Sequence, residues 1–514
     1  MTTTTTTKQP PHVLVFPYPA QGHTLPLLDL THQLSVHNLT ITILTTPKNL
    51  PTVSPLLSTH PQIHTLVLPF PSHPLIPAGV ENAKDLGNSG NLPIIAASTK
   101  LFDPITLWFK SQTNPPVAII SDFFLGWTQH LAQHLNIRRF AFYASGAFFA
   151  GILNYCWDNL ESVKGLDVVD FADLPRTPSF KEEHLPSLFR RYRESDPDCQ
   201  LVKDSLVANK LSYGFIFNSF ESLEGGYLGF LKREFGHERV YAVGPVNLLG
   251  PERTDRGNPV TGSSANVFKW LDGCPDGSVL YVCFGSQKLL NKKQMEALAD
   301  GLEKSMVRFI WVVKTGTAQQ VEDGYGVVPD GFDERLAGRG LVIRGWAPQV
   351  KILSHRAVGW FLSHCGWNSV LEGIVAGAMI LAWPMEADQF IDARLLVEEL
   401  GVGVGACEGT ATVPDSEELA KVIRESMSEK GAGVKMKAKE LRRKALEAVK
   451  EGGSSLNDLN GLIKELPRLG STRLAVGFWG CQDQPGLSAL LPTVTCAGFL
   501  GFLPSQLLPV PFTQ

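Results

Sequence analysis

The feature that most constrains this chain is an alternation, run through twice, of short apolar segments and helical stretches. Val13–Phe16 is an apolar run halted by Pro17, and Leu25–Leu34 then carries leucines at helical spacing. Leu39–Thr45, Ile63–Leu68 and Val117–Ser121 read as further strands. The pattern breaks at a polar, Gly/Pro-rich stretch, Leu249–Ala265. It restarts with Val279–Phe284, a helix opened by Asn291 with Gln294 three residues on, and Phe309–Val313. Leu341–Ile343, Val358–Leu362 and Ile380–Trp383 continue the series. Apolar strands separated by helices build parallel sheets covered on both faces. Two such runs predict an α/β protein of two doubly wound parallel-sheet domains facing a cleft, with ligands at the carboxyl ends of the strands.

The expected organisation is a disordered Thr-rich lead over 1–10, a first domain over 11–249 and a linker over 250–264. A second domain over 265–468 follows, its last helix, Asn457–Leu466, having the option of packing back onto the first. Residues 469–514 form an atypical apolar, Pro-rich tail. After Asp483 it holds no charged residue, which raises the idea of a membrane anchor. Pro485, Pro492, Pro504, Pro509 and Pro511 cut the stretch below the roughly 20 apolar residues a span needs, which favours an unusual terminus instead. Charge is balanced, 46 Lys+Arg against 50 Asp+Glu, so no global field gathers nucleic acid or an anionic membrane, and any phosphate must be held locally. Eight cysteines without a C-x-x-C pair, and no secretory h-region at the start, point to the reducing cytoplasm without structural zinc.

Two alternating halves suit a dehydrogenase, but the nearest dinucleotide fingerprint, Gly401–Ala406, follows a helical stretch and leads into a loop. The fingerprint must follow a strand and open a helix, so this run reads as a Gly-rich strand. The chemistry concentrates in the 44-residue segment Trp346–Gln389, which packs four Trp, two His and a closing Asp-Gln. Val358–Leu362 leads through Ser363, His364, Cys365 and Gly366 into a helix beginning near Trp367, Asn368 and Ser369. Such a strand-to-helix turn aims backbone N–H groups and the positive helix end at one spot, an anion site suited to a pyrophosphate. Glu372, on the same helix face as Ser369, suits ribose hydroxyls. Trp346 and Gln349 suit stacking on, and pairing with, a pyrimidine.

This segment resembles, nearly position for position, the signature box of plant secondary-product UDP-glycosyltransferases. The similarity runs from about Pro11 to Leu466, through Phe16-Pro17, Gln21-Gly22-His23 and Phe284-Gly285-Ser286. Ser363 and Ala378-Met379 stand where the family commonly has Thr and Val-Pro, and the family lacks the tail. The resemblance implies the GT-B fold, two Rossmann-like domains facing a cleft. It implies a UDP-sugar site of Ser286, Trp346, Ala347, Gln349, His364, Gly366, Trp367, Asn368, Ser369, Glu372, Trp383, Asp388 and Gln389. In that site Trp346 stacks on uracil and Gln349 bonds it, while Glu372 holds the ribose. Ser286, His364, Asn368 and Ser369 contact phosphate; Asp388 and Gln389 contact the sugar, with Trp383 nearby. The closing Gln389 is associated with UDP-glucose more often than with galactose.

Transfer to a hydroxyl needs a base and an anion clamp. His23, in the loop after the first strand at the start of a helix, sits where the dipole disfavours its cation, leaving a neutral imidazole. Asp122 ends the fourth strand at the same sheet edge, where it can orient that imidazole. The resemblance gives the two the same roles, base and partner. Direct displacement predicts an inverted β-glucoside with no cofactor beyond the co-substrate UDP-glucose and no metal; Asp196-Pro197-Asp198 reads as a solvated loop. Aromatic residues around Phe123, Phe124, Tyr143 and Ser145 suggest a pocket for a small hydrophobic acceptor. The resemblance makes a phenolic such as a flavonoid the expected acceptor, ahead of hydroxybenzoates, terpenoids or hormones, in a monomeric enzyme. The competing readings are a nucleotide-sugar epimerase and a non-catalytic nucleotide-sugar-binding protein.

Overall fold

The computed structural model describes residues 9–86, 90–249, 263–336 and 338–476. The Thr-rich lead through Lys8, linker residues 250–262 and the tail from 477 lie outside the described residues.

The first half supplies β1 (His12–Phe16), β2 (Thr40–Thr45), β3 (His64–Val67), β4 (Ala118–Asp122) and β5 (Arg138–Tyr143). A small antiparallel pair, β6 (Val168–Asp170) and β7 (Ser179–Lys181), stands apart from the main sheet, to which β8 (Gly214–Phe217) and β9 (Val240–Ala242) return. The main sheet runs β3-β2-β1-β4-β5-β8-β9 and is parallel throughout. Every residue of β1 and β4 is buried, as strands covered on both faces must be. The second half supplies β10 (Val279–Cys283), β11 (Arg308–Val313), β12 (Gly340–Arg344), β13 (Val358–Ser363), β14 (Met379–Ala382) and β15 (Gly403–Gly405). These form a second parallel sheet in the order β12-β11-β10-β13-β14-β15. This is the pair of α/β domains of the GT-B fold.

In both sheets the order reverses beside the first strand. β1 pairs β4 with Phe16 opposite Ser121, and β10 pairs β13 with Cys283 opposite Ser363. The loops leaving those four strand ends form the two switch-point crevices where such sheets bind ligands. Gly401–Ala406 contributes β15, with Val404 opposite Leu381, and opens no helix.

Three strands give weak signals in the sequence. β5 starts on Arg138-Arg139, of which Arg139 is only 1% exposed. β8 and β9 are four and three residues long. The last helix, Ser454–Val476, extends past both ends of the expected Asn457–Leu466. It packs on the first sheet: Leu459, Leu462 and Leu466 share a core with Val13, Ile41, Ile43 and Ile120. Asp458 accepts the Ala242 N–H at 2.7 Å, and Ser455 Oγ donates to Gly244 O at 2.5 Å. Burying three leucines this way contributes roughly 1.5–3 kcal/mol each.

Asp196-Pro197-Asp198 is not the solvated loop expected of it. Asp196 caps the helix Pro197–Ala208, its Oδ1 accepting from Asp198 N at 3.0 Å, and Pro197 occupies the first turn. Asp followed by Pro is a helix-start signal, and Asp198 pairs with His73 at 3.0 Å. Among the described residues no three His, Cys, Asp or Glu side chains group as metal ligands, and no helix is long and apolar enough to cross a membrane.

Candidate functional site

Leaving β1, the chain passes Pro17–Ala20 and enters the helix Gln21–Ser35, whose N-cap Ala20 has no capping side chain. His23 therefore lies inside the first helical turn, not in the loop before it. Its Nδ1 is 2.8 Å from Asp122 Oδ2, and the Asp122 carboxylate is fully buried at the end of β4. The other carboxylate oxygen accepts the Phe124 N–H at 2.9 Å, so both oxygens are fixed. Rings enclose the imidazole: Phe124 at 4.7 Å, Tyr18 edge-on at 5.2 Å and Phe123 stacked at 5.6 Å. With Nδ1 engaged by Asp122, Nε2 is the nitrogen left for a substrate. Behind the pair, buried Arg139 donates to Ser121 Oγ at 2.8 Å, Asn209 Oδ1 at 2.9 Å and Asp122 O at 3.2 Å. Burial pulls its pKa down to about 10, offset by Tyr143 and Asp122, so it is still a cation at neutral pH and balances the buried carboxylate.

The second sheet answers across a cavity of about 570 Å³. After β10, Gly285 takes φ +76°, and a Cβ there would stand 2.7 Å from His364 Nε2, which explains a residue without a side chain. Ser286 follows, exposed to the cavity. After β13, Cys365 (φ +64°) and the N-cap Gly366 turn the chain into the helix Trp367–Ala376. The first N–H groups of that helix have no intrahelical partner and face the cavity with Asn368 and Ser369. Burial drops the His364 pKa to about 4, so it offers a neutral imidazole, a hydrogen-bonding group and no charge. Asn368 Nδ2 donates to Gly22 O at 2.6 Å, tying this helix end to the one that carries His23.

Trp346, Ala347, Gln349 and Glu372 line the cavity together. Gln349 is tied to its neighbours: its amide nitrogen donates to Glu372 at 2.8 Å and Ser369 Oγ at 3.2 Å, and its oxygen accepts from Tyr281 at 3.3 Å. It braces Glu372 with its N–H groups, and its oxygen keeps a lone pair able to accept from a base. At the other end of the cavity, Gln389 Oε1 accepts the Met385 and Glu386 N–H groups at 3.0 and 3.1 Å, which turns its NH₂ into the free donor. Beside it, burial raises the Asp388 pKa to about 6, moderated by a backbone N–H and by His23 across the cleft. A donor next to an acceptor matches vicinal hydroxyls.

Two aromatic residues, Trp383 and Tyr143, are not where the sequence reading put them, and a third, Trp367, lines the cavity as expected but also packs between the two halves. Trp367 is 2% exposed; its indole donates to Asn218 O at 2.8 Å and its ring would touch a Cβ placed on Gly146, so it joins the two halves. Trp383 is fully buried, edge-on to Phe284 at 5.1 Å, away from the cavity wall. Tyr143 is sandwiched between Phe123 at 4.8 Å and Phe217 at 4.6 Å, beneath the wall and not part of it. Their large apolar surfaces serve cores. Phe123, Phe124 and Ser145 do line the cavity, joined by Asn91, Phe149, Lys288, Lys314 and Glu386, none of which the reading assigned to the site. Only Lys288, two residues past Ser286, carried a positional hint.

Residues 259–436 match the family model described as UDP-glucoronosyl and UDP-glucosyl transferase. UDP-glycosyltransferase 89A2 of Arabidopsis thaliana is 53% identical over 90% of this chain and 97% of its own length. The flavonol 3-O-glucosyltransferase UGT89B1 of the same plant is 51% identical over 89% of this chain and 97% of its own. The crystal structure of Arabidopsis thaliana UGT89C1 complexed with UDP-L-rhamnose superposes with a TM-score of 0.74 at 39% identity, covering 89% of this chain and all of that one.

Proposed function

The chain belongs to the plant family 1 UDP-glycosyltransferases, and from that premise we propose that it transfers glucose from UDP-glucose to a hydroxyl of a small aromatic acceptor, a flavonol foremost. The observation that carries this reading is the His23–Asp122 pair facing Asp388 and Gln389 across one cavity, a base opposite a sugar clamp. His23 Nε2 takes the acceptor's proton as the oxygen forms its bond to the anomeric carbon. The bond from that carbon to the β-phosphate oxygen breaks, and UDP leaves with the electron pair. Asp122 stabilises the imidazolium. Attack opposite the leaving group inverts the configuration.

For the donor, Trp346 supplies the stacking surface for uracil. Glu372, held by Gln349, accepts from the ribose hydroxyls. The N–H groups at the start of Trp367–Ala376, with Ser286, Asn368, Ser369 and His364, meet the diphosphate. This arrangement asks for no metal, and chelation is expected to leave the rate unchanged. All of these groups come from one chain, in keeping with a monomer.

UDP-L-rhamnose is the second reading, because the neighbour at 39% identity was crystallised with it. The glucosyltransferase at 51% identity favours glucose. Both donors offered at equal concentration with a flavonol, and the products separated by mass, decide between them: a predominant hexoside supports the proposal, and a predominant deoxyhexoside overturns it. The absence of any glycoside, with nucleotide sugar still bound, supports the non-catalytic reading.

A further inference from the structure

The part of the cavity wall supplied by the first domain is apolar except for four side chains: Gln21, His23, Asn91 and Ser145. Asn91 opens the helix Asn91–Ser98 behind the N-cap Gly90. Its Oδ1 accepts from Tyr18 Oη at 2.8 Å. Tyr18 is fully buried, and burial together with the Asp122 carboxylate holds its phenol well above the ordinary range, so the hydroxyl keeps its proton and donates it. That bond fixes the amide with its oxygen turned to Tyr18, and the two N–H donors on Nδ2, which have no partner among the described residues, are left for the cavity. The Tyr18 ring also meets His23 edge-on, centroids 5.2 Å apart. Asn91 thus stands one tyrosine ring and one hydrogen bond from the base. Ser145, 3% exposed, adds a hydroxyl with no hydrogen-bond partner among the described residues.

We propose that Asn91, oriented by Tyr18, binds a second oxygen of the acceptor, so that the cavity selects hydroxylated aromatic ketones over phenols with a single oxygen. The inference rests on the reading of this cavity as the acceptor site of a glycosyltransferase. A carbonyl oxygen accepts and never donates, which complements a group offering two N–H donors. Phe123, Phe124 and Phe149 supply flat apolar walls for the rings. With the carbonyl pinned at Asn91, one of several phenolic hydroxyls is delivered to His23 Nε2. Tyr18 is a positioning residue, acting through Asn91.

The test compares a flavonol with 2-naphthol, which has one oxygen, using UDP-glucose and the wild type, Asn91→Leu, Asn91→Asp and Tyr18→Phe. Asn91→Leu is expected to lower kcat/KM for the flavonol about tenfold, the worth of one hydrogen bond, and to change naphthol less than twofold. Asn91→Asp keeps the Tyr18 bond and the shape but replaces N–H donors with a carboxylate oxygen. It covers the case in which the leucine variant fails to fold, and the same selective loss is expected. Tyr18→Phe frees the amide and is expected to spread the flavonol product over several positions, which a merely structural role would not do. Equal losses on both acceptors, or Asn91→Asp behaving as wild type, would overturn the proposal. If the wild type glucosylates neither compound, the glucosyl reading falls, and acceptor titration onto the UDP-saturated protein decides separately. About tenfold weaker flavonol binding by Asn91→Asp then supports the role of Asn91, and equal binding overturns it.

Discussion

Replacing Asp122 by Asn isolates the proposed base, His23, from its partner with almost no change of shape. In the native protein one carboxylate oxygen holds the Phe124 N–H at 2.9 Å and the other holds His23 Nδ1 at 2.8 Å. An asparagine oxygen can keep the first bond. Its NH₂ then faces Nδ1 and can only donate, which forces the ring proton onto Nε2, the edge needed to accept the substrate's proton. The imidazolium formed during transfer also loses a charge-assisted bond in a fully buried setting, worth roughly 1.5–3 kcal/mol, or about 10- to 150-fold in rate. With the tautomer effect added, kcat/KM should fall about 10²- to 10⁴-fold, the range for losing a general base. UDP affinity should stay within about twofold, since the donor groups come from the other sheet. Product formation by chromatography and UDP titration by calorimetry give the two numbers. Activity within threefold of wild type, or a loss explained by weaker UDP binding, would refute the assignment.

Asp388→Asn probes the sugar clamp and its pH dependence. Burial lifts this carboxyl from 3.8 to about 6, so between those values the folded protein holds a proton that the unfolded chain has released. Stability therefore falls as pH rises through that window, and the penalty is complete above it. The variant should melt higher than wild type above pH 6, converge with it near pH 4, and lose use of UDP-glucose; a pH-independent change in Tm would contradict this. In the wild type, KM for UDP-glucose should rise as pH drops below about 6. Trp367→Phe removes the indole bond to buried Asn218 O and should cost roughly 1–3 kcal/mol in a denaturation series with less than tenfold loss of kcat. A collapse of UDP affinity at unchanged stability would show that the ring acts chiefly at the cavity it lines and not at the seam. Gly285→Ala, at φ +76° with its new Cβ 2.7 Å from His364 Nε2, should raise KM for UDP-glucose tenfold or more and leave acceptor KM alone; unchanged donor kinetics would show that the loop yields freely.

Much of the proposed donor site could be read from the chain because it is local. Ser363 through Glu372 is one strand end, one turn and one helix, and a turn of Gly, Asn and Ser there has few uses other than presenting N–H groups and short polar side chains to an anion. His23 and Asp122 became legible together, since two strand ends of one parallel sheet bring distant positions to one edge. The helix boundary around His23 was less readable because Ala20 caps Gln21–Ser35 with backbone geometry alone, leaving no Ser, Thr or Asp to mark the start. β5 was obscured by Arg139, whose charge argues against a buried strand until the three side chains and one carbonyl that satisfy its guanidinium are known.

What failed was the direction of large rings. Trp383 and Tyr143 stand in or beside segments rich in site residues, and each turns into packing, the second core and an aromatic stack, while Trp367 keeps an edge on the cavity and commits its indole N–H to the interdomain seam. A buried indole or phenol removes far more apolar surface from water than a serine or asparagine, so packing competes for it wherever a core is within reach. Small polar side chains have little to gain from a core and stay where the backbone aims them. The acceptor wall shows the same rule from the other side. Asn91 comes from a helix distant in sequence from His23, and its orientation is set by Tyr18, a residue invisible from the cavity but bonded to one group that lines it. A specificity that depends on such a second residue has no contiguous signature, which is why the proposed donor site shows in one segment and the proposed acceptor contact only in the folded cleft.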